Sequence, residues 1–410
     1  MSRLGLFQGY GVELEYMIVD RKTLDVRPVA DAILRDESGA IVSDVVLGDI
    51  GWSNELVAHV LEMKTEGPAP ALAPLQAKFQ SAVEVANSRL KSVDAMLLPT
   101  AAHPWMNPDR ETVLWAHEYN EVYEAYNRIF DCRGHGWSNL QSTHINLPFA
   151  NDEEFGRLHA AIRLVLPLIP ALAASSPCLD GALTGRMDSR LHVYQGNQAR
   201  IPSIIGRVIP EPVYTEADYR REIFERTYRD IAPFDADGLL QHEFLNSRGA
   251  IARFGRGAIE IRLVDIQECP RADLAIVTFL CELVKALVEE RFAPYELQRQ
   301  FDTESLREIL LATIDDADVA RINNPAYGAL FGMKPGKRTF AIDVIESIFG
   351  SLRSPAMLPY LDVLALLMAK GPLARRIVSR TGRTPNRANL HEVYAELAEC
   401  LASGATFEGA

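Results

Sequence analysis

Gly11-Val12-Glu13-Leu14-Glu15-Tyr16 is the stretch on which the reading of this chain turns. It reads as a β-strand with glutamates at i and i+2. Alternate side chains of a strand point the same way, so Glu13 and Glu15 share one face, about 7 Å apart along the strand. Val12, Leu14 and Tyr16 take the other face and suit a core. Two like charges side by side on a strand are unfavourable unless something offsets them. A hard divalent cation such as Mg²⁺ is the natural offset, because it takes oxygen ligands.

Three further segments repeat this division of faces. From Val60 onward the chain reads as a strand with Glu62 and Lys64 on one side and Leu61 and Met63 on the other; Glu55 precedes it. In Asn139–Leu147, His144 and Asn146 share a face opposite Ile145 and Leu147. In Gly257–Asp265, Glu260 and Arg262 share a face opposite Ile259, Ile261 and Leu263. Stacked in one sheet, the four strands build a polar floor of carboxylate, imidazole and guanidinium groups over an aliphatic underside.

A formal net charge of −13 argues against a duplex nucleic-acid binder, which shows a basic surface. It is compatible with nucleotide binding, because cations and local arginines hold a triphosphate. The five cysteines, Cys132, Cys178, Cys269, Cys281 and Cys400, are widely spaced and form no CxxC motif, which fits buried free thiols in a reducing cytosol. The first nine residues contain no signal-peptide apolar region. The apolar run Leu164–Ala174 is short for a bilayer and carries Pro167 and Pro170. The expectation is a cytoplasmic protein without membrane or nucleic-acid partners. No Walker motif is present, so a P-loop does not hold phosphates here.

The 410 residues divide into three regions. Residues 1–270 read as mixed α+β carrying the polar strand faces, with helices over 71–96, 153–174 (kinked by proline) and 215–231. The aromatic stretch 103–137 reads as core and helix packing. Residues 271–402 read as mainly helical, opening on the apolar run from Leu274 to Val288 and continuing near 303–317, 339–350, 357–370 and 390–402. Residues 403–410 read as a disordered tail.

Read in order, these pieces resemble the glutamate–cysteine ligase type 2 family and its bacterial carboxylate–amine ligase branch. The resemblance rests on Gly11-x-Glu13-x-Glu15, on Glu55 followed by Glu62-x-Lys64-Thr65, and on Gln141-Ser142-x-His144-Ile145-Asn146. It continues in Ser175-Ser176-Pro177 with Gly181, Thr184-Gly185 and Ser189-Arg190, and in Glu260-Ile261-Arg262-x-x-Asp265, covering about residues 8–270. It implies a glutamine-synthetase-like curved antiparallel sheet with flanking helices and a helical C-terminal third. ATP, Mg²⁺ (with Mn²⁺ as an alternative) and an amino-acid carboxylate would sit over that sheet. The implied reaction is an ATP-dependent ligation in which a carboxylate takes the γ-phosphoryl group and an amine then displaces phosphate.

The resemblance also implies roles. Glu15, Glu55 and Glu62 would serve one ion, and Glu13, His144 and Glu260 another. Phosphoryl transfer is mostly positioning and charge neutralisation, which is why several carboxylates converge. Arg262, beside Glu260, would stabilise charge on the transferring group, the alternative being a surface salt bridge of little worth. Arg190, with Ser189, would clamp the amino acid's carboxylate through its planar fork. Lys64, Gln141, Asn146 and Arg253 would contact nucleotide. The basic loop Lys334–Arg338 reads as a solvated turn. Cys178, Leu179, Arg186 and Met187 depart from the branch's pattern and are expected to shape the substrate pocket. Alternatives are the same chemistry with another acid or amine, a metal-dependent hydrolase, and a degenerate ligase that only binds.

Overall fold

The structure, a computed structural model, describes residues 3–334 and 336–409. Pro335 of the basic loop lies outside the described residues. The alternating segments form strands β1 (Gly11–Asp20), β4 (Val60–Thr65), β6 (Ser142–Pro148) and β10 (Ala258–Asp265). They join β2 (Asp44–Leu47), β3 (Ile50–Asn54), β5 (Ala95–Leu98) and β9 (Ala250–Arg253) in one sheet. Its order is β2-β3-β4-β1-β6-β10-β9, with β5 pairing the end of β1. All pairings are antiparallel. A separate hairpin joins β7 (Cys178–Leu179) to β8 (Ala182–Leu183).

The period-2 pattern sorts the faces as the sequence indicates. Val12, Leu14, Tyr16, Leu61, Met63, Ile145, Leu147, Ile259 and Leu263 are fully buried in the main hydrophobic core. That core also contains residues of helices Leu75–Leu90, Asp152–Val165 and Pro270–Val288, so the C-terminal helices pack on the same interior as the sheet. Pro270 opens the last of these helices, where its missing N–H costs nothing. The segment Asp152–Ala173 has the length and hydropathy of a membrane span, but 94% of its apolar window is buried inside the protein.

Several local features differ from the sequence reading. The β2–β3 hairpin is not marked by alternation in β2. Its two-residue turn, Gly48-Asp49, uses a positive φ of 70° at Gly48, which suits glycine. A helix over Leu373–Thr381 adds to those expected. The segment 404–409 is packed rather than loose: Phe407 is buried, its amide donates to Glu268 Oε1, and its carbonyl accepts from Arg376. The apolar side chain and the buried Glu268–Arg376 pair, at 2.7 Å, give that segment a fixed seat.

A bulge interrupts β10. Ile261 pairs with Ile145 and Val264 with Thr143, so three steps on β10 match two on β6. The extra residue falls at Arg262–Leu263. Bulges bend the strand and re-aim side chains.

Candidate active site

Register across the sheet assembles the floor. Glu13 lies opposite Lys64 on one side and His144 on the other, and Glu15 lies opposite Glu62, which faces Ser53. Glu260 lies opposite Asn146. His144 Nδ1 donates to Glu13 Oε2 at 2.8 Å, and Asn146 Nδ2 donates to Glu13 Oε1 at 3.0 Å. The Ser142 amide and hydroxyl donate to Glu15 Oε2 at 2.7 and 3.0 Å. That hydroxyl stands 2.9 Å from His144 Nε2, so each ring nitrogen has a polar neighbour. Two triads, Glu13–His144–Glu260 and Glu15–Glu62–His144, each bring three ligand atoms within 4.8 Å of one another.

The charges explain what this floor attracts. Burial pushes Glu62 upward, and the charge of Glu13 adds to it against Lys64 and Ser53, raising the carboxyl to about 7. Burial and the charges of Glu15 and Glu62 drive Glu55 well above the carboxylate range. Burial works against Glu13 too, but the His144 hydrogen bond and the charges of His144, Arg262 and Arg253 outweigh it and hold it at about 2. For His144, burial is outweighed by the Glu13 hydrogen bond and the charges of Glu15 and Glu13, so its pKa is raised. Carboxyls held protonated by crowding are relieved by a cation, and oxygen-rich donor sets with one imidazole suit Mg²⁺ or Mn²⁺. The residues therefore fit divalent ions.

Arginines border the floor. Arg262 Nε lies 2.8 Å and Arg253 Nε 3.0 Å from the two oxygens of the buried Glu260. Over them opens a cavity of about 470 Å³ lined by Glu15, Glu55, Ser142, His144, Arg190, Arg253 and Arg262. Tyr119, Tyr123, Tyr126, Trp137, Tyr194 and Phe244 complete its wall. The first four belong to the stretch read from sequence as core packing; the structure turns them to the site instead. Tyr123 and Tyr126 lie on the helix Asn120–Phe130, and Asn54 Nδ2 donates to the Tyr123 hydroxyl at 2.9 Å, tying the wall to the end of β3.

The sequence profile of the glutamate–cysteine ligase family 2 matches residues 10–313, three quarters of the chain and every residue of this floor. The chain belongs to that family. It is thus an ATP-dependent carboxylate–amine ligase of the family's type. An uncharacterized protein of Archaeoglobus fulgidus is 35% identical over 280 residues, spanning 68% of this chain and 75% of its own. A Nocardioides protein, provisionally named glutamate–cysteine ligase 2-1, is 24% identical over 92% of this chain and 90% of its own length. The fold matches a Francisella tularensis glutamate–cysteine ligase solved with AMP, at a TM-score of 0.65 and 12% identity, over 98% of this chain and 90% of that one. A bifunctional glutathione synthetase from Pasteurella multocida matches at a TM-score of 0.57 and 14% identity, over 96% of this chain and 53% of that one.

Within this family member, the expected residues do not all converge. Glu13, Glu15, Glu62, His144 and Glu260 meet in the two triads, and Glu55 faces the cavity without joining either. Lys64 lies off the cavity, bonded to Asp44 at 2.7 Å and Ser53 at 2.9 Å. Gln141 is buried, neither amide atom has a partner among the described residues, and it does not line the cavity. Ser189 is buried 2.7 Å from the Thr184 hydroxyl, also off the cavity. Arg186 pairs with Asp315 at 2.9 Å, and the Met187 amide donates to the Asp315 carbonyl, so this loop faces a helix rather than the pocket. Arg190 reaches the cavity wall but is held by Asp265.

Proposed function

We propose that this ligase joins the side-chain carboxylate of glutamate to the amine of cysteine, forming γ-glutamylcysteine. The observation that carries this reading is the pair of ligand triads sharing His144, set beside Arg253 and Arg262 on Glu260. The provisional name of the Nocardioides relative and the AMP bound to the Francisella enzyme support it.

In this reading Glu13 and Glu260 would hold one divalent ion and Glu15, Glu62 and Glu55 another, with His144 within reach of both. The bound ions supply neutralisation of polyphosphate charge. Arg253 donates Nε to Glu260 and Arg262 pairs with its other oxygen, and both keep their terminal N–H groups for anionic oxygens of ATP or of the acyl phosphate. The glutamate carboxylate oxygen forms a bond to the γ-phosphorus as the bond to ADP breaks. The amine nitrogen then bonds to the acyl carbon, inorganic phosphate leaves, and the nitrogen gives up its proton.

The aromatic wall favours a second reading, in which the amine carries an apolar body larger than a thiol. One assay separates the two: ADP release from Mg²⁺-ATP with glutamate and each standard amino acid as the amine. Release that needs glutamate and is fastest with cysteine supports the first reading, and a preference for a bulky apolar amine supports the second. No release with any pair overturns both.

A further inference from the structure

The resemblance implies that Arg190 clamps a substrate carboxylate, but each of its three guanidinium nitrogens is engaged within the protein. Nε donates to Asp265 Oδ1 at 2.5 Å, Nη2 to the Leu263 carbonyl at 2.8 Å, and Nη1 to the Arg262 carbonyl at 3.4 Å. The residue is only 2% exposed. All three acceptors lie on β10, and two of them are the carbonyls of the bulge. A bulge takes carbonyls out of the regular ladder, and a buried carbonyl left without a donor is costly.

The partner carboxylate is fixed in turn. Asp265 is fully buried, and its Oδ2 accepts from the Ser175 amide at 2.8 Å and the Ser176 hydroxyl at 3.1 Å. The Ser176 hydroxyl also accepts from the Arg190 amide at 3.1 Å. The outcome is a closed set of bonds from the Ser175–Ser176 turn through Asp265 and Arg190 to the backbone at residue 262. Breaking one partner of a buried ion pair leaves the other charge uncompensated, so the set holds or fails together.

We propose that Arg190 is a positioning residue: with Asp265 it fixes the β10 bulge that aims Arg262, and it does not bind substrate. This rests on the ligase reading above, with Arg262 as the group that meets charge developing on the transferring phosphoryl group. The two roles for Arg190 separate kinetically. A substrate clamp contributes to binding of the acid, whereas aiming Arg262 contributes only in the transition state.

The test is steady-state kinetics of Arg190→Lys, with L-glutamate, Mg²⁺-ATP and the amine that wild type turns over. The expected result is kcat lowered about 10-fold or more, with KM for glutamate within about 3-fold of wild type. In an Arg262→Lys background the same substitution should lower kcat little further, because the two residues act as one unit. A large rise in KM for glutamate with kcat retained would overturn the proposal, as would full additivity in the double variant. If Arg190→Lys fails to fold, Ser176→Ala loosens the same set more gently. It should lower kcat about 3-fold or more at unchanged KM, and an unchanged kcat overturns the proposal. Wild type that releases no ADP with any acid and amine refutes the ligase reading itself, an outcome distinguishable because it precedes any variant.

Discussion

Glu13 and His144 face each other on adjacent antiparallel strands, with Nδ1 2.8 Å from Oε2. The pair is the hinge of the floor, because His144 belongs to both ligand triads while Glu13 belongs to one. Removing either should therefore have unequal effects. Glu13→Gln keeps the size of the side chain and one acceptor oxygen but removes a charge. His144→Ala removes a ligand from both groups. Binding of Mn²⁺ followed by electron paramagnetic resonance should show two sites in wild type, one weakened in Glu13→Gln and both weakened in His144→Ala. ADP release should fall by about 100-fold or more in either variant, the scale of losing one electrostatic stabiliser. Unaltered Mn²⁺ binding in His144→Ala would contradict the assignment of the shared ligand.

The aromatic wall predicts a different kinetic signature. Trp137 stacks on Phe130, with ring centroids 5.5 Å apart, and lines the cavity with Tyr126. Trp137→Ala removes contact surface from substrate without touching the floor. KM for one substrate should rise by about 10-fold or more, the worth of a lost apolar contact of 1–3 kcal/mol, with kcat changed less. Whether the affected substrate is ATP or the amine is read from which KM moves. Wild-type KM values for all substrates would return the stretch to the role of plain packing.

The floor was legible in the sequence because a strand writes its faces at a period of two. Glu13 and Glu15, or His144 and Asn146, declare a shared side from spacing alone. The wall was not legible for the converse reason: Tyr123 and Tyr126 have the spacing of any amphipathic helix, and only tertiary packing decides whether that face meets a core or a cavity. The β2–β3 hairpin escaped because Asp44-Val45-Val46-Leu47 is short and without alternation, which leaves the alternation of Ile50 and Trp52 with Gly51 and Ser53 without a marked partner. Arg190 shows a third limit. Its residue type suits a clamp, but its guanidinium nitrogens are engaged by Asp265 and the bulge carbonyls, none of which spacing reveals.

Gly11 of the opening motif has a steric reason. A Cβ there would stand 2.9 Å from Asn146 Cβ, on the strand directly opposite. Asn146 is the residue that donates to Glu13 Oε1. Gly11→Ala should therefore push β1 and β6 apart locally, at a cost of about 1–3 kcal/mol in unfolding free energy, the usual penalty of overpacking. Denaturant unfolding measures the first effect. The second is a fall in activity larger than stability alone explains, because the displaced Asn146 no longer holds Glu13. A variant as stable and active as wild type would show that the strands accommodate the methyl freely.

Buried histidines limit the acid stability of the fold, and His59, His103 and His159 are all held well below the usual imidazole range by burial. His59 and His103 contact the carbonyls of Ser138 and Leu24 at 2.8 and 2.7 Å, and burial lowers both to about 4 despite those bonds. The unfolded chain takes up these protons near pH 6.5, and the folded chain does not. Stability from each is thus complete above about pH 6.5 and is lost as pH falls toward 4, by up to about 1.4 kcal/mol per pH unit. Replacing one of them, as in His103→Gln, should lower stability at pH 7 yet flatten its decline between pH 6.5 and 4. An equally steep decline in the variant would place the acid sensitivity elsewhere.

Asp273 works in the opposite direction. Its Oδ1 accepts from the Thr143 hydroxyl and the Gln267 amide, each at 2.9 Å, while Oδ2 has no partner among the described residues. Burial outweighs those two bonds, and with the nearby charge of Glu268 it pushes the carboxyl up to about 8. The folded state therefore keeps a proton that the unfolded state releases near pH 3.9. Because the folded pKa is raised, this contribution is full below about pH 4 and is lost as pH rises to about 8, by up to about 1.4 kcal/mol per pH unit. Asp273→Asn keeps the Oδ1 acceptor and cannot ionise. The stability of wild type relative to the variant should fall steadily from pH 5 to pH 8 in denaturant titrations. A difference that stays constant across that range would mean Asp273 is ionised in the folded protein, with Oδ2 reaching a donor such as water.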